Sequence, residues 1–400
     1  MYRKITTKPS VWCLLALFGN TAMASSEITL NGFLNVGAGI ANPKDDDEYV
    51  FNYEDDLTYT NDTQLGLQIT SPLTERLTAV GQLVARGRDG YELDATWAYI
   101  SYAISDEAKI RGGRFRTPFY LYSDYLEVGY AYHWIGAPED VYTLPSDSLN
   151  GVDLIYQFPL GSSDLQMQLY NGSSDAPFES TEAIVKIRDQ TGLALTWTYD
   201  WLTLRASYHQ AEKVTFENFE VLELPQPLGS FGNLAAILNS LPVTLVGTSA
   251  QEAAKGLSAD ENTFTFSEVA MKIEWNKLLI VAEYASLDSD GGPVGKTRHY
   301  YGGAGYTFGD FLVHVTQVKT NDEVVDLTSN IPVVPGITDG LIVALDSITS
   351  SFVDPDRTEN IIGVRWDLEP GVALKAQYSE VNDDVGTEGS VLKLAINVVF

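Results

Sequence analysis

Residues 391–400 read Val-Leu-Lys-Leu-Ala-Ile-Asn-Val-Val-Phe. Leu392, Leu394, Ile396, Val398 and Phe400 fall at every second position, while Lys393 and Asn397 take the other parity. A β-strand sends successive side chains to opposite faces, so this stretch has one apolar face and one partly polar face. Taken alone, it fits a half-buried strand of any sheet. What precedes it narrows the choice.

Working backward from Phe400, alternating segments recur at 28–40, 63–70, 77–86, 93–104, 108–116, 149–159, 164–171 and 183–199. They continue at 202–210, 263–275, 278–287, 298–308, 311–319, 357–367, 372–381 and 391–400. Seven connections are short: 71–76, 105–107, 160–163, Asp200, Asn276, 309–310 and 369–371. Those at 41–62, 117–148, 211–262 and 320–356 are too long for buried connections in a compact soluble domain. An even number of strands joined by short turns on one side and long loops on the other predicts an all-β fold, a transmembrane antiparallel β-barrel of about sixteen strands. Aromatic residues cluster beside the short turns: Trp197, Tyr199 and Trp201 flank Asp200, Trp275 precedes Asn276, Phe308 and Phe311 flank 309–310, and Trp366 precedes 369–371. A girdle at one membrane interface accounts for that placement.

The other end of the chain predicts export. Arg3, Lys4 and Lys8 precede the apolar stretch 11–18, and Ala22-Met23-Ala24 supplies a small-residue cleavage site, so 1–24 reads as a signal peptide and 25–400 as the mature barrel. The leader takes three basic and no acidic residues with it, which moves the formal charge from −29 to −32. So acidic a chain is a poor partner for nucleic acid, whose binding rests on basic phosphate contacts. Cys13, the single cysteine, lies in the leader. That leaves no thiol chemistry or cysteine metal site in the mature chain, and no cofactor or metal is expected. Beyond the leader no apolar run is long enough for a membrane helix.

Two stretches carry a family resemblance. Residues 391–400 resemble the closing strand of Gram-negative outer-membrane barrels, whose terminal aromatic is read by the barrel assembly machinery; this implies that Phe400 is an assembly signal. Residues 111–145, RGGRFRTPFYLYSDYLEVGYAYHWIGAPEDVYTLP, are similar to the constriction-loop region of general porins, with Pro138-Glu139 matching a pair near the loop tip. The resemblance implies a cell outer-membrane porin, a homotrimer whose third long loop, 117–148, folds inward. Asp124, Glu127, Glu139 and Asp140 then supply negative charge at the constriction. Arg86, Arg88, Arg114 and Arg116 are the wall cations facing them, since arginines pointing into lipid cost about 2–4 kcal/mol each near the midplane. Arg86 and Arg114 rank above Arg88 and Arg116, which stand near the rim. On this reading Arg114 and Arg116 share the inner face and Phe115 the outer.

The expected function is a water-filled channel for passive diffusion of small hydrophilic solutes and ions, with weak cation preference and no enzymatic step. Lipid and lipopolysaccharide are the surroundings; Asp45, Asp46, Asp47, Glu48, Glu54, Asp55, Asp56 and Asp62 in the first long loop read as a solvated acidic face, with divalent bridges to lipopolysaccharide as the alternative. Residues 231–241 and 338–348 have helical apolar periodicity, expected to cap the outer mouth by packing on neighbouring loops, with a lumenal plug as the alternative. Two rivals remain: a non-conducting structural or adhesive barrel, and a barrel hydrolase built on His133, His209, His299 or His314, none of which sits in a catalytic motif.

Overall fold

The computed structural model of the chain describes residues 27–43, 53–144, 146–177, 184–217, 230–256, 262–290, 295–350, 355–384, 386 and 388–400. The leader at 1–24 lies outside these residues, as do Asp45, Asp46, Asp47 and Glu48. The first eight strands are β1 Thr29–Pro43, β2 Gln64–Pro72, β3 Leu77–Arg86, β4 Leu93–Ala103, β5 Ala108–Arg116, β6 Ser148–Leu160, β7 Ser163–Pro177 and β8 Ile184–Tyr199. The second eight are β9 Leu202–Glu217, β10 Asn262–Trp275, β11 Leu278–Asp290, β12 Thr297–Phe308, β13 Phe311–Asp322, β14 Arg357–Glu369, β15 Val372–Asp383 and β16 Glu388–Val399. Each pairs with the next, and β1 pairs antiparallel with β16, so the sheet closes into one barrel. Closure removes the free edge that hydrocarbon would leave unsatisfied.

All sixteen expected segments are strands. Several run further than expected on the long-loop side: β7 reaches Pro177, β9 Glu217 and β13 Asp322. In β7 and β13 the added residues carry no alternating apolar face, so alternation gives no sign of them; in β9 they include Val214 and Phe216, buried against the loop helices. At the short turns the backbone is left-handed at Gly161, Asp200, Asn276, Gly309 and Gly371. Glycine, asparagine and aspartate tolerate that region best, which is why so few residues suffice to reverse the chain.

The two faces are inverted relative to a soluble protein. Leu65, Leu67 and Ile69 on β2, Val313 and Val315 on β13, and Leu392 and Leu394 on β16 are all exposed on the outward face. The opposite parity carries buried Asn35, Gln82, Arg111, Asp153, Gln168, Glu283, Lys375 and Lys393. Apolar outside and polar inside is the alternation of a transmembrane barrel. Beside the short turns Trp197 stacks with Tyr199 (6.2 Å between centroids) and Phe311 with Trp366 (5.2 Å), while Trp275 and Phe308 stand exposed.

Four helices sit in the long loops: α1 Phe231–Ser240, α2 Val243–Val246, α3 Ser249–Gly256 and α4 Asp339–Ser350. The Ser230 side chain accepts from the Asn233 N–H and caps α1. Leu234 and Leu238 of α1 join Ala250 and Ala253 of α3, Leu345 and Ile348 of α4, and Val185, Ala211, Val214 and Phe216 of β8 and β9 in one apolar cluster. α1 and α4 coincide with the two expected helices. α3 escapes a periodicity search because its buried face is alanine.

Candidate functional site

The loop 117–148 leaves β5, crosses the interior and returns to β6. Its first residues reach the far wall, where Arg205 on β9 donates to the Pro118 carbonyl and Ser207 to that of Phe119 at 2.8 Å. Glu283 on β11 accepts from the Leu121 N–H at 2.8 Å and from the hydroxyls of Tyr142 and Tyr301. Further along, the Trp134 indole donates to Thr316 on β13 at 3.0 Å, and Arg365 on β14 donates to the carbonyls of Tyr130 and Tyr132. Lys375 on β15 donates to the carbonyls of Gly129, Tyr132 and Trp134. Asn35 on β1 and Gln64 on β2 both donate to the Glu127 carbonyl, at 3.1 and 2.7 Å. The loop is thus fastened to the wall from β9 round through β16 to β3. Phe119, Tyr120, Tyr122, Tyr132 and Trp134 form its apolar body against Phe266, Val281, Tyr301 and Val318 of that wall.

Glu127 fixes the last part of this path. Arg86 Nε donates to its carboxylate at 3.1 Å and Arg116 at 3.0 Å, and all three residues are buried. Burial opposes the charge, but Arg116 and Arg86 outweigh it and hold the carboxyl down at about 2. Arg116 also pairs with Asp147 as the loop returns, so one guanidinium ties both ends of the loop.

No family model matches the chain, and no curated relative does. Solved structures do match. The outer membrane channel DcaP of Acinetobacter baumannii superposes with a TM-score of 0.59 at 12% identity, covering 94% of this chain and 97% of that one. The anion-selective porin from Comamonas acidovorans gives 0.56 at 14% identity, over 94% and 100% of the two chains. OmpF of Salmonella typhi, in a complex with daunomycin, gives 0.55 at 12% identity, over 93% and 97%. This chain has the porin fold.

Within the porin barrel the eight singled-out charges meet different fates. Arg86, Arg116 and Glu127 form one buried cluster. Asp140 pairs with Arg357 at 3.1 Å, and Glu139 lies 3.9 Å from Lys393, which also holds Asp62. Arg88 stands exposed in the turn after β3, with Asp89 at 3.9 Å. Asp124 is exposed.

The facing read for β5 is corrected. Arg114 lies opposite Ala98 and Asn150 on the outward parity, its guanidinium reaching the Ala95 carbonyl at 2.7 Å and Asp94 at 3.8 Å. Phe115 points inward, buried with Leu149 and Tyr170. Alternation gives relative faces but not their phase, and this strand carries arginine on both parities. The ranking of Arg114 over Arg116 is reversed for the same reason: the ladder ends at Arg116, and the turn into the loop brings it to Glu127.

Sequence reading missed Glu283, Lys375, Arg365 and Arg205, the wall groups that hold the loop. They are single charges in alternating strands, and only closure places them around one loop. Among the described residues no cluster of three or more histidine, cysteine or carboxylate side chains is arranged to hold a metal. His209 pairs with the Tyr170 hydroxyl at 2.8 Å and His299 with Asp322 at 2.8 Å; among the described residues no histidine bonds a serine.

Proposed function

We propose that this protein is an outer-membrane porin through which small hydrophilic solutes and ions diffuse passively. The observation that carries the reading is a closed barrel with an apolar outer face and a polar inner face, across which a long loop is fastened by the wall's own charged side chains. Held in this way, a loop narrows the lumen without the need for any reacting group. In this reading the segment 1–24 is a cleaved leader, the barrel assembly machinery inserts the chain with Phe400 as part of its signal, and lipid and lipopolysaccharide surround a homotrimer. Exposed Glu54, Asp55 and Asp56 in the first long loop enrich cations at the mouth, most strongly at low ionic strength, and favour weak cation preference. The preference follows from these charges; 14% identity to an anion-selective porin carries no selectivity.

A second reading, a non-conducting structural barrel, draws on the same loop: it is bonded around much of the circumference, and α1, α3 and α4 pack together above β8 and β9. Reconstitution of refolded protein into planar bilayers separates the two. The porin reading expects discrete conductance steps in multiples of three and a small cation-directed reversal potential under a salt gradient. A folded, heat-modifiable protein that never conducts would overturn it. Hydrolysis of peptide or lipid by the same preparation would favour the enzyme instead.

A further inference from the structure

Resting on the channel reading, we infer that charge selection is set by Asp124 of the loop and Lys109 of β5, and not by the arginine cluster at Glu127. Among the described residues of the loop 117–148, Asp124 is the one charged side chain that is both exposed and without an ion pair. Glu127, Asp140 and Asp147 are each paired with arginine, and Glu139 with Lys393.

The wall's cations repeat the pattern. Register places Arg86, Lys109, Arg111, Arg205, Lys272, Arg357, Arg365, Lys375 and Lys393 on the inward face. Arg86, Arg111, Arg205 and Lys272 pair with Glu127, Asp153, Glu268 and Glu274. Arg357, Arg365 and Lys393 pair with Asp140, Asp367 and Asp62, and Lys375 is spent on three loop carbonyls. Lys109 is left: it is exposed, and among the described residues it has no ion pair. It follows Ala108 on β5 and shares the face of Arg111, which stacks over Tyr99 at 5.0 Å and is neutralised by Asp153.

Asp124 and Lys109 also lie together. Asp124 is near enough for its charge to act on Lys109, Arg111 and Tyr99. Apart from Arg116, where β5 runs into the loop, this is the wall the loop does not bind, because its other hydrogen bonds run from β9 round to β3. A paired, buried charge presents almost no net field to a passing ion, whereas an exposed one within a Debye length of about 8 Å does. Asp124 and Lys109 therefore impose opposite biases on ions passing between the loop and the β4–β7 wall.

The test is the salt-gradient reversal potential of reconstituted full-length protein. Asp124→Asn is expected to lower the cation-to-anion permeability ratio roughly twofold and Lys109→Gln to raise it by a similar factor. The double variant returns near the starting value. Neither side chain is buried or bonded, so both variants fold; as a second route, cysteine at either position is modified in the folded protein with cationic or anionic reagents, which must shift the ratio in opposite directions. A conducting protein whose ratio ignores all these changes overturns the inference and leaves the channel standing. If no form conducts, the channel reading falls and the inference with it.

Discussion

Glu127 is a carboxylate buried between two guanidiniums, and removing it would leave Arg116 with Asp147 alone and Arg86 with only the more exposed Asp94 and Asp89. Breaking a buried ion pair from one side costs about 3–5 kcal/mol, so Glu127→Gln should lower the thermal transition of the barrel and loosen the loop. Proteolysis within 117–148 would reveal the loosening; an unchanged cleavage pattern counts against the anchoring role. The pH effect has a definite sign. Because the folded carboxyl is held down at about 2, its stabilisation is complete above the ordinary carboxylate range and is lost as pH falls from that range toward 2. Fluorescence of Trp134, buried in the loop's body, should report that acid transition in the parent and not in Glu127→Gln. At the seam, Phe400 exchanges two backbone hydrogen bonds with Gly32, and its ring lies where a Cβ on Gly32 would come within 2.4 Å. Deleting Phe400 should lower the folded, heat-modifiable fraction. Gly32→Ala should reproduce part of that loss by displacing the ring, and normal assembly of both would remove the seam's claim to importance.

At the level of elements, the loop is held by the wall and not by regular structure of its own, since its ordered pieces are two short 3-10 turns, Ser123–Tyr125 and Gly129–Ala131. Its exposure is correspondingly uneven. Cysteine introduced at Asp124 should react quickly with small hydrophilic reagents, and cysteine at Glu127, buried at 7% exposure, slowly. Equal rates at the two positions would show that the loop is not held against β1–β3. The helices of the long loops form a separate apolar unit. Leu234→Ala and Leu345→Ala, each truncating a fully buried side chain, should cost about 2–5 kcal/mol within that cluster. The readout is faster proteolysis of the loops with the barrel's heat-modifiability retained; loss of both together would make the helices part of the barrel's folding unit.

For the molecule as a whole, the wall and the lumen obey different rules. Closure satisfies every strand through its neighbours, so the outward face needs only to be apolar, and substitutions among Leu, Val and Ile there should be nearly silent. The inward face is a network in which almost every charge has a named partner, so changes there propagate. Arg205 illustrates this: it touches Pro118 of the loop and Glu268 of β10, and Arg205→Ala would release the start of the loop and leave a buried carboxylate unpaired. Single-channel records of Arg205→Ala should therefore show noisier conductance than the parent. A quiet trace would mean that the Phe119 contacts alone fix the loop.

The alternation of 391–400 and its fifteen counterparts determined the barrel, because a strand's faces are a local property with a period of two that any reader of the chain can count. Turn residues such as Asp200 and Asn276 were equally legible, since left-handed backbone selects its residue types. The amphipathic helices α1 and α4 showed their leucine and isoleucine spacing, whereas α3, with an alanine face, did not. Pairing is where the sequence fell silent. That Glu127 meets Arg86 across 41 positions and Asn35 across 92, and that Lys375 collects three carbonyls of a loop more than 240 residues before it, follows only from closing the sheet and laying the loop across it. Which charges cancel, and that Asp124 and Lys109 do not, was decided by the tertiary structure, because charge is neutralised by distance in space and a sequence records only distance along the chain.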